Sequence, residues 1–525
     1  MLSPKALRRG ALTLSLCLTA LSNAALAQDT PVAGGRLDLV VQPEPPSLMI
    51  GITTNGPSLL VAGSIYEGLL RYDSDLKPYP ALAESWESSE DGLTFTFHLR
   101  QGVKFSDGTP FSAKDVLFTF TEFLTETNPK WREVMRHVEA ITAPDEHTVV
   151  FKLKEGYGPF IRSFSYTVAP IIPAHLYQGT DFTKNPNNDK PVGTGPFVLK
   201  EWKKGSFIDL EKNPDYWNPG HPYLDQVVYH VVPDAASRAT AFETRTVSVL
   251  PGGSVENFDI ARLAKEDGVC VTEKGWEYNG PMSFLWLNNR TAPMDNVKFR
   301  QAVMYALNRP MMLQVLWGGY GKVATGPITS TIPFYDKVEP QYDYDPKKAK
   351  ALLEEIGYTG DTPLRLLPLP YGETWQRWAE VVKQNLSAVG IPIEIESTDV
   401  AGWNQKTSQW DYDIAFTYLY ENGDPALGVS RNYITSQITK GNPFANVEGY
   451  SNPVVDKLFD DAAVATTDAK RQELYTEVQK ILQTDVPVAW LQELSFPTLY
   501  DCKVQDLVKT ANGIGSSLGD TWIAQ

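Results

Sequence analysis

A polar loop directly after an apolar strand contains the strongest candidates for functional residues in this sequence. Residues 420–425 read Tyr-Glu-Asn-Gly-Asp-Pro, and they follow an apolar segment that ends near Leu419. Loops at strand ends commonly present binding groups. Glu421 is a candidate for ligand contact, because an acid beside an apolar strand end is poorly explained as solvated surface. Asp424 is a second candidate, although Asp-Pro is also typical of a plain turn.

Two glycine-rich segments imitate catalytic or nucleotide-binding motifs. Residues 515–519 read Gly-Ser-Ser-Leu-Gly, the pattern of a hydrolase nucleophile, which needs an acid and a histidine downstream. Only six residues follow this segment, and the last histidine of the chain is His230. Residues 319–324 resemble a dinucleotide fingerprint, but they follow a predicted helix where the motif requires a strand. We therefore interpret both segments as small-residue loops.

The histidines and carboxylates show no spacing that indicates a metal site or a catalytic pair. The six histidines are His98, His137, His147, His175, His221 and His230. We expect no metal and no cofactor, and we expect binding instead of catalysis. A secreted hydrolase is kept as a distant alternative.

The first 27 residues predict export from the cytoplasm. Lys5, Arg8 and Arg9 precede an apolar run, and Ala25-Leu26-Ala27 is a small-residue cleavage site, so residues 1–27 are predicted to be a signal peptide cleaved after Ala27. Cleavage leaves 44 basic against 63 acidic residues, a net charge of −19. Such acidity argues against a nucleic-acid partner, which requires a basic surface. Two cysteines remain, Cys270 and Cys502, either as a disulfide or as two buried thiols.

Alternating strand and helix signals run through the rest of the chain. Leu93 to Leu99 alternates as a strand, and Ser112 followed by Asp115 predicts the start of a helix. A long helix is predicted from Asn296 to Leu316, and another begins after Asp345 at Pro346. Further strands are predicted at 282–287, 391–395 and 413–418. This order predicts an α/β or mixed α+β fold.

The amino-acid sequences of several segments resemble the motifs of one family. This family is the extracellular (periplasmic) solute-binding proteins, family 5, of peptide- and nickel-type ABC importers. The segments that carry the resemblance are DGLTFTFHLRQGVKFSDGTPFSAKDVLFTF (91–120), YEGLLRYDSDLKPYPALAESW (66–86), PVGTGPF (191–197), FRQAVMYALNR (299–309), YDPKKAKALLEEIGY (344–358) and YSNPVVDKLFDDA (450–462). Their order and spacing also match the family. One departure is local: Arg245 and Ser248 stand where the family often has a Gly-x-x-Asp turn.

The resemblance implies a two-lobed clamshell in which the chain crosses twice between lobes. Residues 28–278 and 492–525 would form lobe one, with an extra subdomain near 63–192, and residues 279–491 would form lobe two. Cys270 and Cys502 would then both lie in lobe one, which makes their pairing geometrically possible.

The resemblance also implies roles for single residues. In peptide-binding members, the acid at the position of Glu421 pairs with the ligand's α-ammonium group; that acid is more often Asp, and Glu is longer by about 1.5 Å. Arg377 would grip a ligand carboxylate, unless it is an exposed arginine on an amphipathic helix. The remaining candidates are cleft walls that could equally be core or ordinary loop: Trp403, Tyr420, Thr53, Thr54 and Asn55.

The function implied is that of a periplasmic substrate-binding component of an ABC importer. A short peptide or peptide-like zwitterion is the expected solute, and an opine, a sugar derivative or a metal chelate is the alternative. The expected partners are the permease and ATPase subunits in the inner membrane, and the protein itself is expected to be a monomer.

Overall fold

Two large mixed sheets organise the computed structural model, which describes residues 30–53 and 55–525. The predicted signal peptide, with its cleavage site at Ala27, and Thr54 lie outside the described residues. No helix within the described ranges is both long and apolar enough to cross a membrane. The predicted mixed α/β class is confirmed.

The first sheet has seven strands, drawn from residues 36–272 and 498–501. Its central strand, Arg36–Val41, runs parallel to Gln226–Val231, and its inward residues Leu37 and Leu39 are fully buried. In spatial order the strands are Val269–Thr272, Thr498–Asp501, Val249–Leu250, Arg36–Val41, Gln226–Val231, Phe207–Lys212 and Phe197–Lys203.

The second sheet has six strands, all drawn from residues 282–493. Every residue of Met282–Leu287 and of Val488–Glu493 is buried, as expected when helices cover both faces of a sheet. In spatial order the strands are Lys322–Val323, Val488–Glu493, Met282–Leu287, Ile414–Leu419, Leu364–Leu367 and Ile393–Ile395. The chain passes between the two sheets at 273–281 and at 494–497, so the second passage follows Glu493. The proposed lobe boundaries given above stay a prediction.

A third, four-stranded sheet lies within residues 83–153 and contains the predicted strand–turn–helix segment. Its strands in spatial order are Ala83–Ser88, Thr94–Leu99, Thr148–Leu153 and Val138–Asp145. Residues of Thr94–Leu99 alternate between buried and half-buried, as predicted. Ser112 and Asp115 form the predicted capping box at the start of helix Ala113–Phe118. That helix passes through a π turn at Thr119–Phe123 into a short helix, Leu124–Thr127.

Helices surround the sheets. Those of seven or more residues are Gly56–Ala62, Pro129–His137, Ala235–Glu243, Asn257–Leu263, Val297–Ala306, Arg309–Leu316, Pro346–Glu355, Glu373–Ala388, Val400–Gln409, Pro453–Val464 and Asp468–Asp485. Two-stranded sheets join Leu70–Tyr72 to Pro78–Pro80 and Val504–Gln505 to Trp522–Ile523.

The single long helix predicted from Asn296 to Leu316 was wrong, because the chain breaks it in two. Leu307 is extended, and Asn308 caps a second helix in which Pro310 lies in the first turn. Proline cannot donate the backbone hydrogen bond that a continuous helix would need there. The predicted start at Asp345-Pro346 is confirmed, since the Asp345 side chain accepts from the amides of Lys347 and Lys348.

A disulfide joins Cys270 to Cys502, which decides between the two alternatives left open by the sequence. Cys270 lies on the edge strand Val269–Thr272, which pairs with Thr498–Asp501, and Cys502 directly follows that partner strand. The two Cα atoms are 5.0 Å apart. The bond therefore links the C-terminal segment of the chain covalently to the edge strand of the seven-stranded sheet.

The turn at Arg245 keeps a left-handed backbone without the glycine that such a turn favours. Arg245 has a φ of +59°, and its guanidinium donates to the carbonyl of Asp267 at 2.9 Å. This contact offsets part of the strain that a side chain adds in the left-handed region. The fold thus tolerates the local departure noted in the sequence.

Candidate ligand-binding cleft

The loop at residues 420–424 is held by the central strand of the second sheet. Strand Ile414–Leu419 pairs antiparallel with Met282–Leu287, and the loop leaves its buried end. Asn422 and Gly423 both have positive φ, at +55° and +77°. A Cβ at Gly423 would lie 3.0 Å from the ring of Tyr278, so the close approach of these two segments requires glycine.

Asp424 is fully buried and its carboxylate is already occupied. It caps helix Pro425–Gly428 by accepting from the amide of Ala426 at 3.0 Å. Arg471 donates to both carboxylate oxygens, at 2.9 and 2.7 Å, and Arg162 donates to one at 3.1 Å. Of the two roles open to Asp424, the structure favours the turn over ligand contact, because few of its lone pairs remain available.

Glu421 is only 3% exposed and lines a small cavity of about 10 Å³, roughly the space of one water molecule. Its two oxygens accept from the amide of Thr329 at 3.0 and 3.1 Å. Burial raises the pKa of Glu421 well above its usual range, and the nearby Glu493 carboxyl raises this pKa further. A raised pKa favours the protonated carboxyl group, which attracts an ammonium group less strongly than the carboxylate that the resemblance implies.

Tyr420 and Trp403 have different surroundings. Tyr420 is half-buried, and its ring meets that of Tyr418 edge-on at 5.8 Å, while Tyr418 stacks on Trp375 at 5.5 Å. Trp403 is 1% exposed and stacks on Trp286 at 5.7 Å. Trp403 is therefore a core residue, whereas Tyr420 belongs to an aromatic cluster beside the loop.

Arg377 lies on the surface and already has an acidic partner. Its side chain is 55% exposed, and it donates at 2.6 Å to Glu373, one turn earlier on helix Glu373–Ala388. No hydrogen bond or ion pair joins it to the 420–424 loop among the described residues. This placement matches the exposed arginine on an amphipathic helix that was the alternative reading.

Asn55 and Thr53 both have local backbone contacts near the start of a helix. The Asn55 side chain accepts from the amide of Ser58 at 2.9 Å and caps helix Gly56–Ala62. The amide of Thr53 donates to the carbonyl of Met49 at 2.9 Å, which closes the preceding turn. The structure therefore explains Asn55 by local capping, and a contact of Thr53 with a ligand stays a prediction.

Two basic residues that the sequence did not single out lie against the same loop. Lys130 donates from Nζ to Asn422 Oδ1 at 3.1 Å, and Arg431 donates to the carbonyls of Tyr420 and Gly428 at 3.3 and 3.2 Å. Burial and the charge of Arg431 lower the pKa of Lys130 to about 8, and burial lowers the pKa of Arg431 to about 10. Lys130 is 301 positions from Arg431 in the chain, so no local pattern could have paired them.

Residues 77–440 match the family model described as bacterial extracellular solute-binding proteins, family 5. The chain belongs to this family. Its role is that of the solute-binding component of a peptide-type ABC importer, as the motifs predicted, and the family description places such proteins outside the cytoplasm.

Three similar proteins are named as binding proteins or have been solved with a bound ligand. The chain is 30% identical over 453 residues to a di/tripeptide-binding protein 2 of Pseudomonas aeruginosa, covering 81% of this chain and 82% of the relative. Its fold matches that of the periplasmic binding protein DppA from Helicobacter pylori in complex with the peptide STSA, with a TM-score of 0.79 and 26% identity over 94% of this chain and 99% of the other. It also matches AgaA from Agrobacterium tumefaciens R10 in complex with agropinic acid, with a TM-score of 0.77 and 27% identity over 94% and 99%. The two-lobed fold predicted from the motifs is confirmed by these structures.

Proposed function

We propose that this family 5 protein encloses a small organic solute between its two lobes and delivers it, chemically unchanged, to a permease and its ATPase in the inner membrane. Closure creates a second conformation that a permease can distinguish, and only tighter binding of the solute to that conformation drives it. The protein acts in the periplasm as a monomer after removal of its signal peptide.

One observation carries this proposal: the two halves of the chain touch through charged groups at the candidate loop. Arg162, from the region assigned to lobe one, donates at 3.1 Å to Asp424, from the region assigned to lobe two. Lys130 makes a second such contact with Asn422. Contacts of this kind form when lobes approach and break when they part.

A short peptide is the first solute to test, because the relatives from Pseudomonas aeruginosa and Helicobacter pylori are named for or bound to peptides. A non-peptide solute is the second candidate. The specific observation in its favour is the burial of Glu421, which raises its pKa and so weakens its pairing with an ammonium group, together with the agropinic acid complex of AgaA.

Solution scattering of the mature protein tests the proposal. The radius of gyration is expected to fall when the solute that co-purifies with the protein, identified by mass spectrometry, is added back to stripped protein. An unchanged radius, or a solute whose mass changes during incubation, contradicts the proposal. Light scattering checks the monomer.

A secreted hydrolase has no support at the serine that suggested it. Ser517 is fully buried, and its hydroxyl donates to the carbonyl of Gly513 at 2.8 Å. A panel of peptides and esters is expected to remain intact after incubation with the protein.

A further inference from the structure

Two basic side chains, Lys130 and Arg431, donate hydrogen bonds to the 420–424 loop, and neither has an acidic partner within the part of the chain that the structure describes. We propose that Lys130 and Arg431 form a binding site for an oxyanion, either the carboxylate or the phosphate group of the imported solute. This inference rests on the proposed function and names the chemical class of the solute. In this proposal Lys130 and Arg431, and not Glu421, make the main electrostatic contact with the solute.

The donors of the two side chains are only partly used. Lys130 makes one hydrogen bond from Nζ, to Asn422 Oδ1, and an ammonium group carries three donors. Arg431 uses Nε and Nη2 on two carbonyls, and Nη1 makes no hydrogen bond among the described residues. Both side chains are half-buried. Both groups therefore keep charged donors of the kind from which carboxylates and phosphates accept.

The local charge balance calls for an anion. Four cations surround the loop, namely Lys130, Arg162, Arg431 and Arg471. Asp424 is bound to Arg162 and Arg471, and within 30–53 and 55–525 no ion pair joins Lys130 or Arg431 to a carboxylate. Glu421, the other acid of the loop, bonds to Thr329 instead. Two partly desolvated like charges without a counter-charge raise the free energy of the protein, and a bound anion relieves that cost.

The two cations come from different halves of the chain. Lys130 lies in the first turn of helix Pro129–His137 in the predicted subdomain of lobe one, and Arg431 follows helix Pro425–Gly428 in the region predicted as lobe two. An anion held by both groups binds the closed arrangement more tightly than an open one. The site therefore couples recognition of the solute's charge to closure.

Thermal unfolding with simple anions tests the site. The mature wild-type protein is compared with a Lys130→Gln/Arg431→Gln double variant, in sodium glutarate, sodium phosphate or sodium chloride of equal ionic strength, and in neutral glutaramide. A Lys184→Gln/Arg136→Gln double variant is the charge-matched control, because it removes one lysine and one arginine charge from exposed positions whose ion-pair partners are Asp181 and Glu133.

Glutarate, phosphate or both are expected to raise the unfolding temperature of the wild type and of the control above the chloride value. Loss of two charge-assisted contacts is expected to weaken the apparent affinity of the Lys130/Arg431 variant at least about tenfold. Glutaramide is expected to have no effect. A response to glutarate alone assigns a carboxylate, and a response to phosphate alone assigns a phosphate group.

An equal response of chloride and both test anions in the wild type overturns the inference, and so does an unchanged affinity in the Lys130/Arg431 variant. The outcome is separable from that of the proposed function. Failure of wild-type closure in scattering, with anion binding still dependent on Lys130 and Arg431, removes the transport mechanism alone. Wild-type closure with anion affinity unaffected by the variant removes the oxyanion site alone.

Discussion

At the scale of single residues, buried acids decide how this protein responds to pH. Glu421 bonds to Thr329 and faces the carboxyl of Glu493 and the ring of Tyr433. Glu448 is fully buried, and neither of its side-chain oxygens has a hydrogen-bond partner among the described residues. Burial raises the pKa of both acids well above the usual range. Both therefore bind a proton more tightly in the folded state than in the unfolded state.

Glu421→Gln is expected to flatten the fall of stability with rising pH. A raised folded-state pKa gives stability that is full below the unfolded pKa and is lost as pH rises toward the folded pKa, by about 1.4 kcal/mol per pH unit for one proton. Glutamine cannot ionise and can still accept from Thr329, so this slope disappears for one group. Urea unfolding between pH 5 and pH 8 measures it. The exposed Glu380→Gln is the control, and equal slopes in all three proteins would contradict the assignment.

Asp424→Asn is expected to destabilise the protein by about 3–5 kcal/mol, because it leaves the buried guanidinium of Arg471 without its counter-charge. Asp345→Asn provides a matched control. It changes the same atoms at a helix N-cap that no buried arginine touches, and asparagine caps as well as aspartate. Urea unfolding of both variants is the measurement. Similar losses in the two variants would mean that capping, and not the ion pair, is the role of Asp424.

At the scale of elements, local signals predicted those parts of the fold that local interactions decide. The strand at 94–99, the box of Ser112 and Asp115, and the cap at Asp345 depend on neighbouring residues, and all three were found. The helix predicted through Leu307 failed, because hydrophobic periodicity hid the effect of Pro310. Trp403 could not be placed from sequence, since an apolar ring suits a cleft wall and a core equally well.

The candidate site was only partly accessible to sequence reasoning. The 420–424 loop was recognised because its acid follows an apolar strand. The state of Glu421 depends on Thr329, which is 92 positions away, and Asp424 depends on Arg162 and Arg471. Contacts at such separations are set by tertiary packing and leave no periodic trace in the chain.

The same loop makes a prediction about backbone geometry. Gly423→Ala is expected to be more destabilising than Gly441→Ala, although both glycines have positive φ. At Gly423 the new methyl group meets the Tyr278 ring, whereas at Gly441 it meets open space. Strain alone costs about 1 kcal/mol, and the clash adds about 1–3 kcal/mol. Denaturant unfolding gives the loss in free energy of unfolding for each variant. Equal losses would show that the Tyr278 ring moves aside without destabilising the protein.

At the scale of the whole molecule, the family fold followed from motifs spread over the chain, and the comparisons confirmed it. The structure adds how the chain is closed. The seven-stranded sheet takes strands from 36–272 and then from 498–501. The entire six-stranded sheet is therefore inserted in the chain between Val269–Thr272 and Thr498–Asp501, which are neighbours in the seven-stranded sheet.

Replacing both cysteines, Cys270→Ser with Cys502→Ser, is expected to lower the free energy of unfolding by up to about 5 kcal/mol. The bond closes a loop of 232 residues, and in the chain-entropy account such a long loop gives a large effect. Urea unfolding of the oxidised wild type, the reduced wild type and the variant is the measurement. A reduced wild type as stable as the oxidised protein would contradict this expectation.

The Cys270–Cys502 bond also affects how the protein responds to proteolytic cleavage. The bond links the two ends of the segment that contains the six-stranded sheet. A single cut in any loop between Cys270 and Cys502 therefore produces two fragments that remain covalently joined. A nicked molecule should therefore run as an intact chain on a non-reducing gel and separate only after reduction. The hydrogen bonds between strands within each sheet also remain after such a cut. We therefore expect the nicked protein to retain solute binding.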